Sequence, residues 1–380
     1  LQIFKKIRIL KRQLENDNAN IIITTIQKLD TFIGKNKDHE IFNKHVVLVF
    51  DECHRSQFGD MHVKITKSFK KYHIFGFTGT PIHDENQKKM NTTATVFGNE
   101  LHRYSIADGI RDKSVLGFDP NKVMTFKDND VRNAVALEKA KANSIEEVNE
   151  DPKKSAVYYK YMDASQVPMA GYLSDDGSYV KGIEDYLPNL QYKTSEHQGM
   201  VVKDIAENWA RLSHGSKFHA IFATSSIHEA IEYYRLLKEK MPHLKTTCLF
   251  DPNIDNDGGV KFKEDGLALI ISDYNEKYQQ DFSIPSHALF KKDIALRLAH
   301  KEQYKMIERT PEKQIDLLIV VDQMLTGFDS KWINTLYMDK LMEYESIIQA
   351  FSRTNRLFGP DKPFGVIRYY RRPHTMEKNI

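Results

Sequence analysis

Val46-Val47-Leu48-Val49-Phe50-Asp51-Glu52-Cys53-His54 is the stretch on which the fold turns. A short apolar run without alternation reads as a strand buried on both faces, the mark of a parallel sheet in an α/β protein. Its carboxyl end carries two adjacent carboxylates, at the edge where open α/β sheets bind ligands. Runs of the same kind recur at Ile21 to Thr25, Ile74 to Thr78, Ala220 to Thr224, Thr246 to Phe250, Leu317 to Val321, Leu336 to Met338 and Phe364 to Tyr369. Amphipathic helical stretches separate them, so the chain reads as two groups of parallel βα units.

Between the groups, 119–198 turns charged and rich in Asn, Asp and Lys, with Leu137 to Val148 its best helix. That segment reads as a helical or irregular insertion, giving 1–118 as a first α/β lobe, 119–198 as the linker and 199–380 as a second lobe. The second group opens on a predicted helix from Met200 to Ser213, with Val201, Ile205, Trp209 and Leu212 on one face and Gly215 placed to end it. Ser226 and Glu229 form a capping-box pattern at the start of the next helix.

Composition agrees with a folded protein. Of 380 residues, 41% are hydrophobic and 28% charged, and mean hydropathy is -0.54, which suits packed cores rather than disorder. No aliphatic run approaches the roughly 20 residues that span a bilayer. Cys53 and Cys248 alone cannot build a disulfide framework or a Cys-rich zinc site, so a reducing, cytoplasmic setting is expected. The net charge of +3 is too small to specify a polyanion partner.

Several constellations could carry chemistry. Asp51 and Glu52 are either a solvated acidic loop or a working pair, one holding hydrated Mg²⁺ and the other taking a proton from an attacking water. Phe77-Thr78-Gly79-Thr80-Pro81 is a strand exit whose hydroxyls can bond neighbouring loops. Gln349, Arg353 and Arg356 fall on one face of a predicted helix, with Ile347 and Phe351 opposite. Neither arginine has an acidic residue three or four positions away in that helix, so each awaits an anion from elsewhere, either a salt-bridge partner or a transferring phosphoryl group. Thr326-Gly327-Phe328-Asp329 follows another buried strand and could read phosphate or ribose. Asn253, Asp255, Asp257, Gly258 and Glu264 approximate a calcium loop, but a strand and not a helix precedes them, so an acidic surface insertion is expected. Cys53-His54 lacks a second Cys/His pair for a metal, and Lys64, Lys67, Lys70 and Lys71 read as a solvated helix face.

Taken in order, Ile22 to Leu29, Asp51 to Gln57, Phe75 to Ile82, Leu325 to Asp329 and Gln349 to Arg356 resemble motifs Ib, II, III, V and VI of a superfamily 2 helicase-type motor. The wording is similar in particular to the restriction (R) subunit of type I restriction-modification enzymes. The resemblance implies two RecA-like parallel-sheet lobes, the first incomplete, that use ATP and Mg²⁺ to translocate double-stranded DNA, coupled in the intact enzyme to its cleavage. It implies Asp51 as the Mg²⁺-binding acid, through water, and Glu52 as the general base. Arg353 and Arg356 become γ-phosphate-sensing arginines, with Gln349, Gly327 and Asp329 beside the nucleotide. His54, Thr78 and Thr80 become couplers to the DNA grip, and Thr24, Thr25, Gln27, Thr224, Ser225 and Thr326 backbone contacts to DNA. Such contacts position DNA without reading its sequence. Modification (M) and specificity (S) subunits are the implied protein partners, and no membrane is.

One departure matters as much as the match. No Gly-x-x-x-x-Gly-Lys-Ser/Thr occurs in the 380 residues, so the phosphate cradle is missing from this stretch. With a chain that opens on Leu1, this leads to the expectation of a piece of a longer protein, with the cradle and a nuclease domain upstream and a helical docking region downstream. By itself the piece is expected to be inactive and to bind ATP poorly. Another superfamily 2 DNA motor, such as a type III restriction subunit, and a non-catalytic DNA- or protein-binding remnant stay open as alternatives.

Overall fold

The computed structural model describes residues 2–16, 18–56, 60–82, 92–254 and 260–380. Gln57 and the acidic-loop residues Asp255, Asp257 and Gly258 lie outside the described residues. The chain divides into two compact units, Leu1–Ser105 and Ile106–Ile380. Strands run in chain order as β1 (His45–Phe50), β2 (Lys71–Gly76), β3 (Phe118–Lys122), β4 (Tyr172–Leu173), β5 (Tyr179–Val180), β6 (His219–Thr224), β7 (Thr246–Leu249), β8 (Leu317–Val320), β9 (Ile333–Asp339) and β10 (Gly365–Tyr369).

In the first unit β1 and β2 pair in parallel from His45 opposite Lys71 to Phe50 opposite Gly76. The helix Asp60–Ser68 lies in the crossover between them. Leu10, Phe32, Ile33, Phe42, Ile65 and Phe69 form the core under one face, with Val46, Leu48 and Phe50 packed on it. Val47 and Val49 point away and are exposed, so β1 is covered on one face only and not on both as its unbroken apolar run indicated. The expected strand at Ile21 to Thr25 is not one. A ladder needs a neighbour, and this segment pairs with none among the described residues. Its Ile21 and Ile23 are exposed, and it ends as the N-cap of the helix Ile26–Lys35, where the Thr25 hydroxyl accepts the Lys28 N–H.

The second unit is built on a parallel six-stranded sheet in the order β3-β10-β9-β6-β8-β7, as expected for the α/β class. β6, β8 and β9 are buried along their whole length, which is why they read as continuous apolar runs. Strand β3 gave no such signal. Its Phe-Asp-Pro-Asn-Lys sequence survives because it sits at the sheet edge beside β10, where Pro120 interrupts no inner ladder. The stretch 119–198 thus begins inside this sheet and continues as the helices Asp128–Ala140, Ile145–Glu150 and Pro152–Met162. The single helix expected from Leu137 to Val148 is broken by Lys141, left-handed at φ +54°, and by Ser144, which caps the next helix through the Glu147 N–H.

The helix Ser195–Leu212 starts earlier than the apolar spacing indicated, because Thr194 caps it. Val201, Ile205, Trp209 and Leu212 face the core as expected, and Gly215, at φ +66°, donates to the Ala210 carbonyl at 2.9 Å. The capping box at Ser226 is only half formed. The Ser226 hydroxyl accepts the Glu229 N–H, but the Glu229 carboxylate turns inward to Arg371 at 2.7 Å.

His219 and His300 share a buried hydrogen bond, Nε2 to Nε2, of 2.8 Å, and His300 stacks on Trp332 at 3.9 Å. One ring donates and the other accepts, so the bond needs at least one neutral imidazole. Burial pushes His219 down to about 3 and His300 to about 4. With folded values below the unfolded one near 6.5, the unfolded chain binds these protons first as pH falls. The pair's stabilisation is therefore complete above pH 6.5 and is lost as pH drops towards 4 and then 3, at about 1.4 kcal/mol per proton per pH unit. Urea denaturation between pH 7 and 5 should show this slope, and His219→Gln should remove about one proton from it. An unchanged slope in the variant would assign the acid sensitivity elsewhere.

Candidate functional site

In the first unit the loops leaving β1 and β2 are stitched together. The Cys53 N–H donates to the Phe77 carbonyl at 3.0 Å, and the Phe77 N–H donates to Phe50 at 2.8 Å. Gly76 is required there, since a Cβ would stand 2.8 Å from Cys53 Sγ and 2.9 Å from the Phe97 ring. Cys53 is fully buried, and burial pushes its thiol up to about 11, so it acts as a packing plug rather than a thiolate ligand.

This stitching leaves Asp51 and Glu52 exposed beyond the end of β1. Asp51 Oδ1 accepts the Glu52 N–H at 3.0 Å. Glu52 is left-handed at φ +49°, a conformation that costs a non-glycine residue about 1–2 kcal/mol. His54, in contrast, is 7% exposed. Its Nδ1 lies 2.7 Å from Thr78 Oγ1, 3.3 Å from Thr80 Oγ1 and 3.5 Å from Glu52 Oε2, and the Thr80 N–H donates to Thr78 Oγ1 at 3.0 Å. One ring nitrogen thus faces an acid and two hydroxyls, so a closer approach of Glu52 competes with the bond to Thr78. The grouping of Asp51, Glu52, His54, Thr78 and Thr80 at adjoining strand ends places the sequence-derived residues together. Thr24, Thr25 and Gln27 lie on the segment leading into the helix Ile26–Lys35; Thr25 and Gln27 are exposed, while Thr24 is half-buried.

In the second unit Thr326, Gly327 and Asp329 lie in the loop after β8, with Gly327 at φ +71°. Gln349 is on the helix Glu345–Phe351, but that helix stops before the arginines. The Ser352 hydroxyl donates to the Ile348 carbonyl at 2.6 Å and the Thr354 hydroxyl to Phe351 at 2.8 Å, satisfying terminal carbonyls and ending the helix. Arg353 and Arg356 therefore do not share a helical face with Gln349. Side-chain bonds bring them together instead. Arg353 donates to the carbonyls of Gln349 (3.0 Å) and Phe328, and Arg356 pairs with the Asp329 carboxylate. That bond holds the Asp329 carboxyl below its ordinary value. The anion expected from elsewhere for Arg356 is, in this chain, Asp329. The pair is exposed enough to be weak and exchangeable.

Thr224 and Ser225 close β6 at the same sheet edge. Thr224 is fully buried, its hydroxyl 3.2 Å from the Val320 carbonyl and 3.3 Å from that of Ser226. Ser225 is half-buried and donates to the Asp339 carbonyl at 3.1 Å. The sequence reading passed over the buried cluster around Asp339, comprising His197, Glu229, Tyr233 and Arg371. A signal for it existed, since Asp339 ends an apolar strand as Asp51 does.

Mg²⁺ tested against these residues fits in one mode. Among the described residues no cluster of three or more His, Cys, Asp or Glu could cage a metal. An exposed carboxylate such as Asp51 suits Mg²⁺ that keeps its waters and its substrate phosphates.

Residues 216–372 match the family model for domain 3 of the type I restriction enzyme R subunit, and residues 2–155 match that of the SWI2/SNF2 ATPase. A type I restriction enzyme endonuclease subunit of Staphylococcus aureus strain COL is 36% identical over 373 residues, covering 95% of this chain. One of Staphylococcus saprophyticus is 32% identical over 374 residues, again covering 95% of this chain. The chain spans 35% of the length of each of these relatives. Among solved structures, the helicase domain of Hef from Pyrococcus furiosus aligns over 95% of this chain and 78% of that one, with 14% identity and a TM-score of 0.41.

Proposed function

The chain belongs to the type I restriction enzyme R-subunit family, and from that premise we propose that it is the motor portion of such a subunit, hydrolysing ATP to translocate double-stranded DNA. The observation that carries the reading is the grouping of Asp51, Glu52, His54, Thr78 and Thr80 at the carboxyl ends of two paired parallel strands. Glu52 takes the proton of the attacking water, its carboxylate exposed and held off the strand line by the left-handed backbone. Asp51 is the residue that would hold hydrated Mg²⁺, which supplies charge neutralisation on the phosphates when bound. Arg353 and Arg356 stabilise charge on the transferring phosphoryl group, with Gln349, Gly327 and Asp329 beside the nucleotide. His54 passes the state of Glu52 to Thr78 and Thr80 by the competition at its Nδ1. Thr24, Thr25, Gln27, Ser225 and Thr326 touch the DNA backbone; Thr224, enclosed as it is, supports the turn that carries Ser225.

In the intact enzyme this motion drives cleavage, in the cytoplasm, in a complex with modification and specificity subunits. The test is displacement of a third strand from a triplex placed along duplex DNA by the assembled complex. ATP-dependent displacement is expected. DNA binding without displacement at any ATP concentration would favour a non-catalytic binding module.

A further inference from the structure

The carboxyl end of β9 holds a polar network with no exposed member. Asp339, His197, Glu229 and Tyr233 are fully buried and Arg371 is 6% exposed. Asp339 accepts from His197 Nε2 at 3.0 Å, from the Tyr233 hydroxyl at 2.8 Å and from Arg371 through two nitrogens at 3.1 and 3.2 Å. Arg371 also donates to Glu229 at 2.7 Å, and His197 Nδ1 lies 2.8 Å from Thr125 Oγ1. Stability alone does not explain such a cluster, because buried ion networks are often replaced by apolar residues without loss. This one is also incompletely satisfied, since Glu229 Oε1 has no hydrogen-bond partner, and a partly satisfied buried network carries a cost.

What the network does hold is the turn after β6, from two sides. Ser225 donates to the main-chain carbonyl of Asp339. Glu229, bonded to Arg371, lies in the first turn of the helix whose N-cap is Ser226. Its reach extends to 119–198, which supplies Thr125 and His197.

We propose that His197, Asp339, Arg371, Glu229 and Tyr233 form a positioning centre that fixes the Ser225 turn against the DNA backbone, so that the middle segment, through Thr125 and His197, sets the strength of the DNA grip. This rests on the reading of Ser225 as a DNA contact. Tyr233→Phe removes one hydroxyl and keeps the ring, and His197→Gln keeps a donor, so both should fold. Duplex binding by the subunit is titrated at fixed salt for these variants, for Ser225→Ala and for the doubles. Ser225→Ala cuts the tether to the Asp339 carbonyl, and it and Tyr233→Phe are each expected to bind three- to tenfold more weakly. Ser225 and Tyr233 are neutral and release no counterions, so the salt slope should stay the same in every variant. The Tyr233→Phe, Ser225→Ala double should bind no more weakly than Ser225→Ala alone. If the network variants lower only the melting temperature and leave affinity unchanged, or if the losses multiply in the double, the positioning role is overturned. If Ser225→Ala itself binds as the unaltered protein does, the reading of Ser225 is wrong and the proposal falls with it.

Discussion

Arg356→Ala is expected to lower DNA-dependent ATP turnover by the subunit by roughly 10³–10⁵-fold, the range an arginine contributes when it stabilises phosphoryl-transfer charge. In this chain Arg356 is held by Asp329 at a partly exposed position, where ion pairs contribute little, so a phosphate can take the guanidinium from its carboxylate at small cost. Asp329→Asn should accordingly leave turnover within about tenfold of the unaltered protein, an expectation distinct from the arginine loss by orders of magnitude. Arg353 differs, because it also donates to the carbonyls of Gln349 and Phe328. Arg353→Ala therefore loosens the loop after β8 besides removing a charge, and Arg353→Lys should not rescue it, since an ammonium lacks the planar fork. Single-turnover hydrolysis at saturating ATP makes the comparison. Turnover by Arg356→Ala within tenfold of the unaltered protein would place this arginine outside the reaction.

Glu52→Gln should reduce the same turnover by roughly 10²–10⁴-fold, the usual contribution of a general base, while ATP affinity stays close to that of the unaltered protein. The substitution keeps size and removes only the ability to take a proton. Glu52 Oε2 is 3.5 Å from His54 Nδ1, and an amide can still approach the ring, so the link to Thr78 is expected to survive. Equilibrium ATP binding beside steady-state turnover separates the two effects. A variant with normal turnover would remove Glu52 from the role of base, and one that no longer binds ATP would make it a binding residue.

Much of this was legible in the sequence, for a physical reason. Inner strands of a parallel sheet are buried on both faces, so β6, β8, β9 and β10 declared themselves as apolar runs, as did the edge strand β7, which is buried over most of its length, and the residues at their carboxyl ends marked the functional edge. Asp51, His54 and Thr78 were legible because they lie at, or within a few residues of, the carboxyl ends of the apolar runs of β1 and β2, although those two strands are not buried on both faces. What escaped depended on distant partners. Ile21 to Thr25 has strand composition but no ladder partner among the described residues. Phe118–Lys122 lacks the composition, yet finds a partner in β10. The helix carrying Gln349 was extrapolated through Arg356, whereas the hydroxyls of Ser352 and Thr354 end it, so the arginines meet Asp329 and Phe328 by side-chain bonds that periodicity does not encode. Glu229 looked like half of a local capping box and is recruited by Arg371, 142 positions away.

The central claim is the proposed ATP-driven motor with Glu52 as its base. ATP turnover by the assembled complex, with and without duplex DNA and with the unaltered subunit and Glu52→Gln side by side, tests it most directly. The account predicts turnover that needs duplex DNA and that falls roughly 10²–10⁴-fold in the variant. No DNA-dependent turnover by the unaltered complex, or equal turnover by the two, would contradict it.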